Sequence, residues 1–359
     1  MTKLSFATQQ NSFFRTLKQR VDQYFSSNEL HTNGNFKLYF KGLLHFVSAV
    51  TLYIVLVFFT PTNLYVSLAL CAVLGLTLSL IGFNIMHEGG HQSFSKKPWM
   101  NQIAAYSLNI LGGNADLWRV KHNVKHHTYT NIEGADDDLD IRPLMRLHEN
   151  QKRYWFHRFQ HIYWILLYGI AHAAWIFYRD FQKYFTGQIA FGAEQQKRTL
   201  FYRHLIFWIT KIAFVFIYFL IPIYYVGVAE TFIGFGIVSF ACGFFMSVVF
   251  QLAHVVGGTA FPTPDPDTNK VEHEWAVHQL TTTANFATRN KFLSWLLGGL
   301  NFQVEHHLFP RISHVYYPVV NQLVKETCAE FDVRYIEYPS MGKALRSHIL
   351  HLKDLGRTK

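Results

Sequence analysis

From Gly42 to Met86 the chain carries no Asp, Glu, Lys or Arg, and from Ile212 to Gln251 its only such residue is Glu230. No other feature limits the fold as strongly. A soluble core rarely needs two uncharged runs of this length, whereas in lipid a helix satisfies its own backbone hydrogen bonds and tolerates them. Pro61 and Asn63 of "TPTN" read as a turn. They divide the first run into segments 42–59 and 64–86, each suited to a helix of about 20 residues that spans a bilayer. "IPIYYVGVAE" breaks the second run into spans 202–221 and 231–252. Composition agrees: 50% of residues are hydrophobic, 17% aromatic and only 16% charged, against roughly one quarter charged in soluble domains.

Charge sets the expected orientation. The first 41 residues hold six Lys or Arg, and His87–His204 holds fifteen, while the links near 61 and 225 hold none. The positive-inside rule then places both termini and the long central segment in the cytoplasm. The stretches 161–178 and 291–302 are apolar but short or histidine-bearing, and are expected to lie at the interface or pack in the cytoplasmic part. The expected fold is an all-α integral membrane protein, with four transmembrane helices in two hairpins and a cytoplasmic helical cap. Its parts are an N-terminal arm (1–41), hairpin one (42–86), a cytoplasmic and interfacial segment (87–200), hairpin two (201–252) and a C-terminal region (253–359).

Other classes find little support. The formal charge of +10 fits positive-inside bias, anionic headgroups or an acidic partner. No basic cluster or zinc-finger spacing points to nucleic acid. Three isolated cysteines, Cys71, Cys242 and Cys328, make neither a disulfide framework nor a metal cluster. The N-terminus lacks the apolar core of a secretory signal.

The chain has 20 histidines, and several cluster near the span ends. "HEGGH" gives His87 and His91; "HNVKHH" gives His122, His126 and His127; His254 ends the fourth span; "QVEHH" gives Gln303, His306 and His307. His278 in "WAVHQ" is a further candidate. On a helix, residues i and i+4 share a face, so "HxxxHH" aims two imidazoles at one point and turns the third toward another. A structural zinc site uses about four ligands and favours thiolates. Imidazole also suits iron, copper and nickel, and seven or eight of them point to two metals. Glu88, Glu305 and the run Asp136 to Asp140 can orient ligand imidazoles through the second ring nitrogen. The run "EGADDDLD" reads more simply as a solvated loop. His31, His45, His148, His157, His161, His172, His204, His314, His348 and His351 read as surface, interfacial or hydrogen-bonded residues.

At these clusters the chain resembles the membrane-bound fatty acid desaturases. The leading Gln of "QVEHH" resembles the front-end branch, which inserts a double bond between an existing one and the carboxyl end. "QLAHVV", "WAVHQLTTTANF" and "LNFQVEHHLFPRI" strengthen the likeness, which covers roughly residues 35–340. The resemblance implies a non-haem diiron centre, with O2 and two external electrons as co-reactants. By it, His87, His91, His122, His126, His127, His254, His306 and His307 carry over as iron ligands. Gln303 binds directly or through water, His278 is a lesser candidate, and Glu88 and Glu305 stand behind the ligands. Members of the family place an Asn one turn before the histidine of span four; here that position is Phe250.

Many eukaryotic front-end members carry a fused cytochrome b5 domain with "HPGG". Residues 1–41 are too short for one, so electrons are expected from a separate ferredoxin or free cytochrome b5-type protein. That architecture points to a bacterial inner membrane. Trp118 can line an apolar tunnel or simply pack. Arg119, Lys121 and Lys125 can meet a phosphate-bearing headgroup or CoA, or be ordinary positive-inside charge. The acyl carrier, long-chain acyl lipid or acyl-CoA, stays open. Two other functions remain at this point: a related histidine-box hydroxylase or ketolase acting on a lipid, and a metal-binding membrane transport or scaffold protein.

Overall fold

The computed structural model describes residues 4–7, 13–192 and 196–358. The described chain is helical, with two ladders of two-residue strands. In chain order, β1 (Ser5–Phe6) precedes α1 (Phe13–Ser27), α2 (Phe36–Phe58) and α3 (Leu64–Gly90). Then come α4 (Pro98–Ile110), α5 (Ala115–Arg119), α6 (Gln160–Ala174), α7 (Lys197–Val226) and α8 (Val228–His254). β2 (Lys270–Val271), α9 (Trp275–Thr282), β3 (Asn285–Phe286), α10 (Lys291–Leu296), α11 (Gln303–Leu308), α12 (Tyr317–Glu330), β4 (Glu337–Tyr338) and α13 (Met341–Arg357) complete it.

Helices α2, α3, α7 and α8 are each long and apolar enough to cross a membrane, and they coincide with the four spans expected from the uncharged runs. The protein is therefore a multi-pass membrane protein. The turn expected at 60–63 supplies a helix cap: the Asn63 side chain accepts from the backbone N–H of Tyr65 (2.9 Å) and Val66 (3.3 Å). Asn35 caps α2 in the same way through Lys37 N–H (3.1 Å), so the first span begins before residue 42.

The chain divides into two compact units. One consists of Asn35–Val120 and Ile165–Val248 and holds most of the apolar helices. Its core joins Leu74, Leu78 and Ile81 of α3 with Ala105 and Leu108 of α4, Trp118 of α5, and Val238 and Cys242 of α8. Close helix packing rests on small residues. A Cβ added at Gly75 of α3 would lie 2.3 Å from the Val238 carbonyl oxygen of α8. A buried ion pair ties α7 to the segment after α6: Lys211 Nζ donates to Asp180 Oδ2 (2.9 Å), Gly112 O (2.6 Å) and Ile176 O (3.0 Å).

The other unit comprises Lys121–Trp164 and Val249–Lys359 with the N-terminal residues up to Gly34. Phe13, Leu17, Val21 and Phe25 recur every four residues on α1 and form one buried stripe. It packs with Leu280 of α9, Val304 and Leu308 of α11, and Val320 and Val324 of α12. The N-terminal arm thus contributes a core helix. β1 pairs with β2, and β3 with β4, both in parallel. The second ladder holds residues 285 and 286 beside 337 and 338, and Asn285 Oδ1 accepts from the Val304 N–H of α11 (2.9 Å).

Candidate metal centre

In the second unit six imidazoles gather: His122, His126, His127, His254, His306 and His307. All are nearly inaccessible. Box two is not an ordinary α-helix. Residues Val120–His126 form a π-helical turn, followed by α-helical His127–Tyr129. π turns recur at functional sites, and this one has a geometric consequence. The wider turn brings i+5 toward i, so His122 Nε2 and His127 Nε2 lie 3.3 Å apart. His126 belongs to two groups: a ligand atom of it lies within 4.8 Å of those of His254 and His307, and one also within 4.8 Å of those of His122 and Asp138. The spacing rule for an α-helix pairs His122 with His126; the π turn redistributes the three rings.

The histidines are held by oxygen atoms. His126 Nδ1 lies 2.9 Å from Asp136 Oδ2, and the same carboxylate oxygen accepts from the backbone N–H of Asn131 (3.0 Å). Burial acts to lower the pKa of His126, but Asp136 and then Asp138 reverse the sign and raise it above the ordinary imidazole value. A proton held on Nδ1 leaves the Nε2 lone pair free. That Nε2 is buried and has no hydrogen-bond partner. His307 Nδ1 lies 2.8 Å from Gln279 Oε1, and His306 Nδ1 lies 3.1 Å from Tyr317 Oη. His122 approaches Asp138 at 3.6 Å. Burial disfavours the Asp138 carboxylate, yet Lys121 and the two imidazoles draw its pKa well below the usual range. An all-imidazole donor set with an orphaned, oriented Nε2 fits a borderline metal such as iron.

Asn131 fixes the ends of several elements at once. It sits at φ +60°, a conformation Asn tolerates better than most residues. Its Nδ2 reaches the carbonyl oxygens of His254 (3.0 Å), Ala260 (3.1 Å) and Thr282 (3.2 Å). On the other side of the cluster, Gln303 Nε2 lies 3.0 Å from His254 Nε2. The Phe250 ring packs 5.0 Å from His126 and 4.8 Å from His254, an apolar contact where the resembling family has an amide.

In the first unit, box one follows a π-helical stretch, Gly82–Met86, at the end of α3. The rings of His87 and His91 lie 4.7 Å apart. Both glycines of "HEGGH" have a steric reason. A Cβ at Gly89 would meet Ala105 N at 2.5 Å, and one at Gly90 would meet the Trp118 ring at 2.2 Å. Trp118 stands 5.8 Å from both imidazoles. Glu88 accepts from Ser93 Oγ (2.9 Å).

A family model described as fatty acid desaturase matches residues 63–339. The chain belongs to the fatty acid desaturase family. It is 37% identical to an acyl-lipid (8-3)-desaturase of Physcomitrium patens, over 99% of this chain and 74% of that protein. It is 34% identical to an sn-1 linoleoyl-lipid 6-desaturase of Synechocystis sp., over 98% and 97% respectively. A similar sn-1 linoleoyl-lipid 6-desaturase of Arthrospira platensis is 34% identical over 96% and 92%. The protein is thus an O2-dependent oxidoreductase of the histidine-box type that acts on a lipid in a membrane setting.

Several expectations for this desaturase take a different form in space. Glu305 does not hold an imidazole. It is fully buried and accepts from Asn285 Nδ2 (2.6 Å), Asn321 Nδ2 (3.0 Å) and Tyr335 Oη (3.2 Å); burial raises its pKa, and those donors act against the rise. The acidic run is not merely a solvated loop, since Asp136 is 3% exposed and holds His126. Lys121 pairs with Asp138, Lys125 with Asp137 (2.8 Å), and Arg119 with Gln102 (2.8 Å). His278 is buried beside Phe6, with ring centroids 5.2 Å apart, and burial lowers its pKa to about 4. Among the described residues, no group of converging donor atoms includes His278. Gln279, next to it, is the residue that reaches the cluster. Gln279, Asn131, Asn285, Asn321, Tyr317 and Tyr335 were not evident beforehand. Of the histidines read as surface, interfacial or hydrogen-bonded, His172 engages both ring nitrogens, with Ser239 Oγ (3.0 Å) and Leu111 O (3.0 Å).

Proposed function

We propose that the protein is a front-end fatty acyl desaturase with two irons, held by His87, His91, His122, His126, His127, His254, His306 and His307. His126, His254 and His307 form one ligand set; the remaining histidines of the boxes are the donors for the second iron. Gln303, beside His254, completes the first set directly or through a water. The observation that carries this reading is the buried convergence of His126, His254 and His307, with His126 oriented by Asp136.

The bound irons supply the oxidation: a –CH2–CH2– unit, O2, two electrons and two protons become a cis –CH=CH– unit and two waters. The protein's part is placement and exclusion. Asp136 and Gln279 set which nitrogen of His126 and His307 faces the metal. Phe250 covers one side of the cluster with a hydrocarbon ring. An acyl methylene has no polar handle, so its selection depends on position alone.

The names of the relatives support an acyl chain carried on a lipid, with the double bond introduced toward the carboxyl end. Electrons come from a separate ferredoxin or cytochrome b5-type protein, and the excess of basic residues favours an acidic donor. The hairpins 42–86 and 201–252 form the membrane part, and the basic residues of 87–204 support a metal centre on the cytoplasmic side of a bacterial inner membrane.

Expression in a host supplied with defined fatty acids, followed by gas chromatography and mass spectrometry of the lipids, tests the reading. A product two hydrogens lighter, dependent on His126, is expected. A product gaining oxygen would assign a hydroxylase or ketolase instead, and purified active protein without iron would remove the diiron assignment.

A further inference from the structure

In the second unit the chain reaches the surface almost as soon as it leaves His254. Val255 and Val256 are fully buried, whereas Gly257 and Gly258 are exposed. Three residues of chain span at most about 11 Å, so bare backbone lies that close to a proposed iron ligand. Neither glycine has a side chain to shield the turn. Gly258 sits at φ +97°, where an L side chain is strained, and a Cβ there would meet the Arg334 guanidinium at 3.0 Å. The turn is also held firmly. Gly257 N–H donates to Ser347 Oγ (2.9 Å), Gly257 O accepts from Tyr338 Oη, and Thr259 Oγ1 donates to His254 O (2.9 Å). His348 Nδ1 lies 2.6 Å from Val255 O, so α13 runs directly against this stretch.

The outward face of α13 is cationic. Its buried side carries Ala344, His348, Leu352 and Leu355. On the opposite side Lys343, Arg346, Leu350, Lys353 and Arg357 follow at steps of three and four residues. They form one stripe about 21 Å long at 1.5 Å per residue. Arg334 stands beside it, against Gly258. The only acid on α13 is Asp354. Other cations of this unit are paired: Arg142 with Glu133 and Asp140, Arg20 with Glu330, and Lys325 with Glu337. Among the described residues no such ion pair engages Arg334 or the four cations of the stripe. Aligned, unneutralised cations attract an acidic partner and speed its encounter. A helix face that lies in a bilayer interface carries a broad apolar side; this face carries only Leu350. The composition therefore favours a protein over a lipid surface.

We propose that the Gly257–Gly258 turn, bordered by Arg334 and the cationic stripe of α13, is the docking surface of an acidic one-electron carrier protein. The carrier's redox group comes to rest over the bare turn, where no side chain adds to its distance from His254. Each encounter oxidises one reduced carrier by one electron, and two encounters supply the two electrons that the reaction consumes with O2 and two protons. A patch of this length suits electron-transfer complexes, which bury less than about 1,200 Å2. The inference rests on the desaturase reading, which needs an outside electron source, and adds to it the surface that receives the electrons.

The test uses the full-length, iron-loaded enzyme in phosphatidylcholine nanodiscs and two acidic carriers, a plant-type two-iron ferredoxin and a soluble cytochrome b5 domain. At low ionic strength at least one is expected to bind, and added salt to weaken it. Carbodiimide cross-links from its carboxylates are expected at Lys343 or Lys353. Arg334→Glu with Arg346→Glu is expected to raise both Kd and KM for that carrier roughly tenfold at low salt, with iron content and unfolding midpoint as in the parent. Arg346→Lys should keep the parent's affinity. Lys270→Glu with Lys291→Glu makes the same change of net charge at exposed positions on β2 and α10 and should leave Kd near that of the parent. Binding of neither carrier at low salt overturns the proposal, as does a Kd that the Arg334 and Arg346 reversals leave unchanged. So do cross-links confined to other lysines. Loss of phosphatidylglycerol binding in that variant with carrier binding intact also overturns it, by making the stripe a headgroup site. Binding is read with oxidised carrier and no substrate, so a carrier that docks here on a protein forming no double bond would keep the surface and sink the desaturation reading alone.

Discussion

Replacing Asp136 with Asn tests whether the acidic run serves the metal centre. Asp136 takes His126 Nδ1 at 2.9 Å, Asn131 N–H at 3.0 Å and Asp138 N–H at 2.9 Å. The amide has nearly the same shape but one acceptor oxygen; with it turned to His126 and Asn131, the Asp138 N–H bond is lost. Also lost is the negative charge that raises the basicity of His126. Partners of this kind are worth about 10–100-fold in metal affinity or activity, or roughly 1.4–2.7 kcal/mol at 1.36 kcal/mol per tenfold. Asp136→Asn is therefore expected to lower iron occupancy under limiting iron, and turnover, by about one to two orders of magnitude. His126→Ala, which removes the proposed ligand itself, is expected to abolish product while membrane insertion persists. Asp137→Asn is the control: that carboxylate pairs with Lys125 in a partly exposed bridge, worth about 0–1 kcal/mol, and its loss should leave iron content near that of the parent. Iron per protein by plasma mass spectrometry and product by gas chromatography read both effects. Full iron and full turnover in Asp136→Asn would refute the claim that Asp136 tunes the site.

Other consequences are as specific. Asn285→Ala removes a donor to Glu305 and the acceptor of Val304 N–H (2.9 Å); leaving these buried groups short is expected to cost about 1–3 kcal/mol, read as a lower unfolding midpoint and faster metal loss to a chelator. Lys211→Met strips Asp180 of its cation and is expected to cost about 3–5 kcal/mol, whereas Lys211→Met with Asp180→Leu should recover much of it; thermal unfolding in detergent measures both. His348 is buried, its Nδ1 lies 2.6 Å from Val255 O, and burial lowers its pKa to about 4 from 6.5. Because the folded pKa is depressed, this contribution is complete above pH 6.5 and is lost as pH falls from there toward 4, by up to ~1.4 kcal/mol per pH unit. His348→Gln should flatten that part of the stability profile, and an unchanged slope would assign the acid sensitivity elsewhere.

The features legible in the sequence were those carried by local pattern. Two uncharged runs with internal turns specify four spans because the bilayer demands length and apolarity and little else. The histidine boxes were legible because metal ligation needs the same residue type at close spacing. Function was legible through the combination of boxes rather than any one of them. The missing parts were nonlocal or conformational. The stripe Phe13, Leu17, Val21 and Phe25 was overlooked beside the much longer apolar runs, although its four-residue repeat is a helical signal. The π turn over Val120–His126 has no sequence signature, yet it brings His127 Nε2 to 3.3 Å from His122 Nε2 while His126 stays stacked on His122 at 5.2 Å. Asn321 and Tyr335 lie singly in segments without a motif, and Gln279 and Asn285, though inside "WAVHQLTTTANF", gain a role only by meeting His307 or Glu305 in space. The glycines of "HEGGH" were visible, but the backbone of α4 and the ring of Trp118, which exclude a side chain there, were not.

Charge balance ties these residues to the chemistry. Neutral imidazoles do not offset the positive charge of metal ions, and a dry site magnifies whatever charge remains. Glu305 adjoins two histidines of box three, and Asp136 and Asp138 touch two of box two. None is placed where it must bind the metal to matter. Asp136 acts through His126; Asp138 lies between Lys121 and two imidazoles; Glu305 is held by three neutral donors, which reduce the cost of burying it without cancelling its charge. The arrangement separates two tasks. On the proposed assignment imidazoles supply the donor atoms, Asp136 and Asp138 stand against the box-two imidazoles, and Glu305, bonded to no imidazole, adds its charge only at longer range. On this argument, neutralising Glu305 by Glu305→Gln should weaken iron binding more than it weakens the fold, because the three donors can rearrange around an amide but the charge cannot be replaced. Iron affinity and unfolding midpoint measured on that variant would have to fall in proportion for the separation to be wrong.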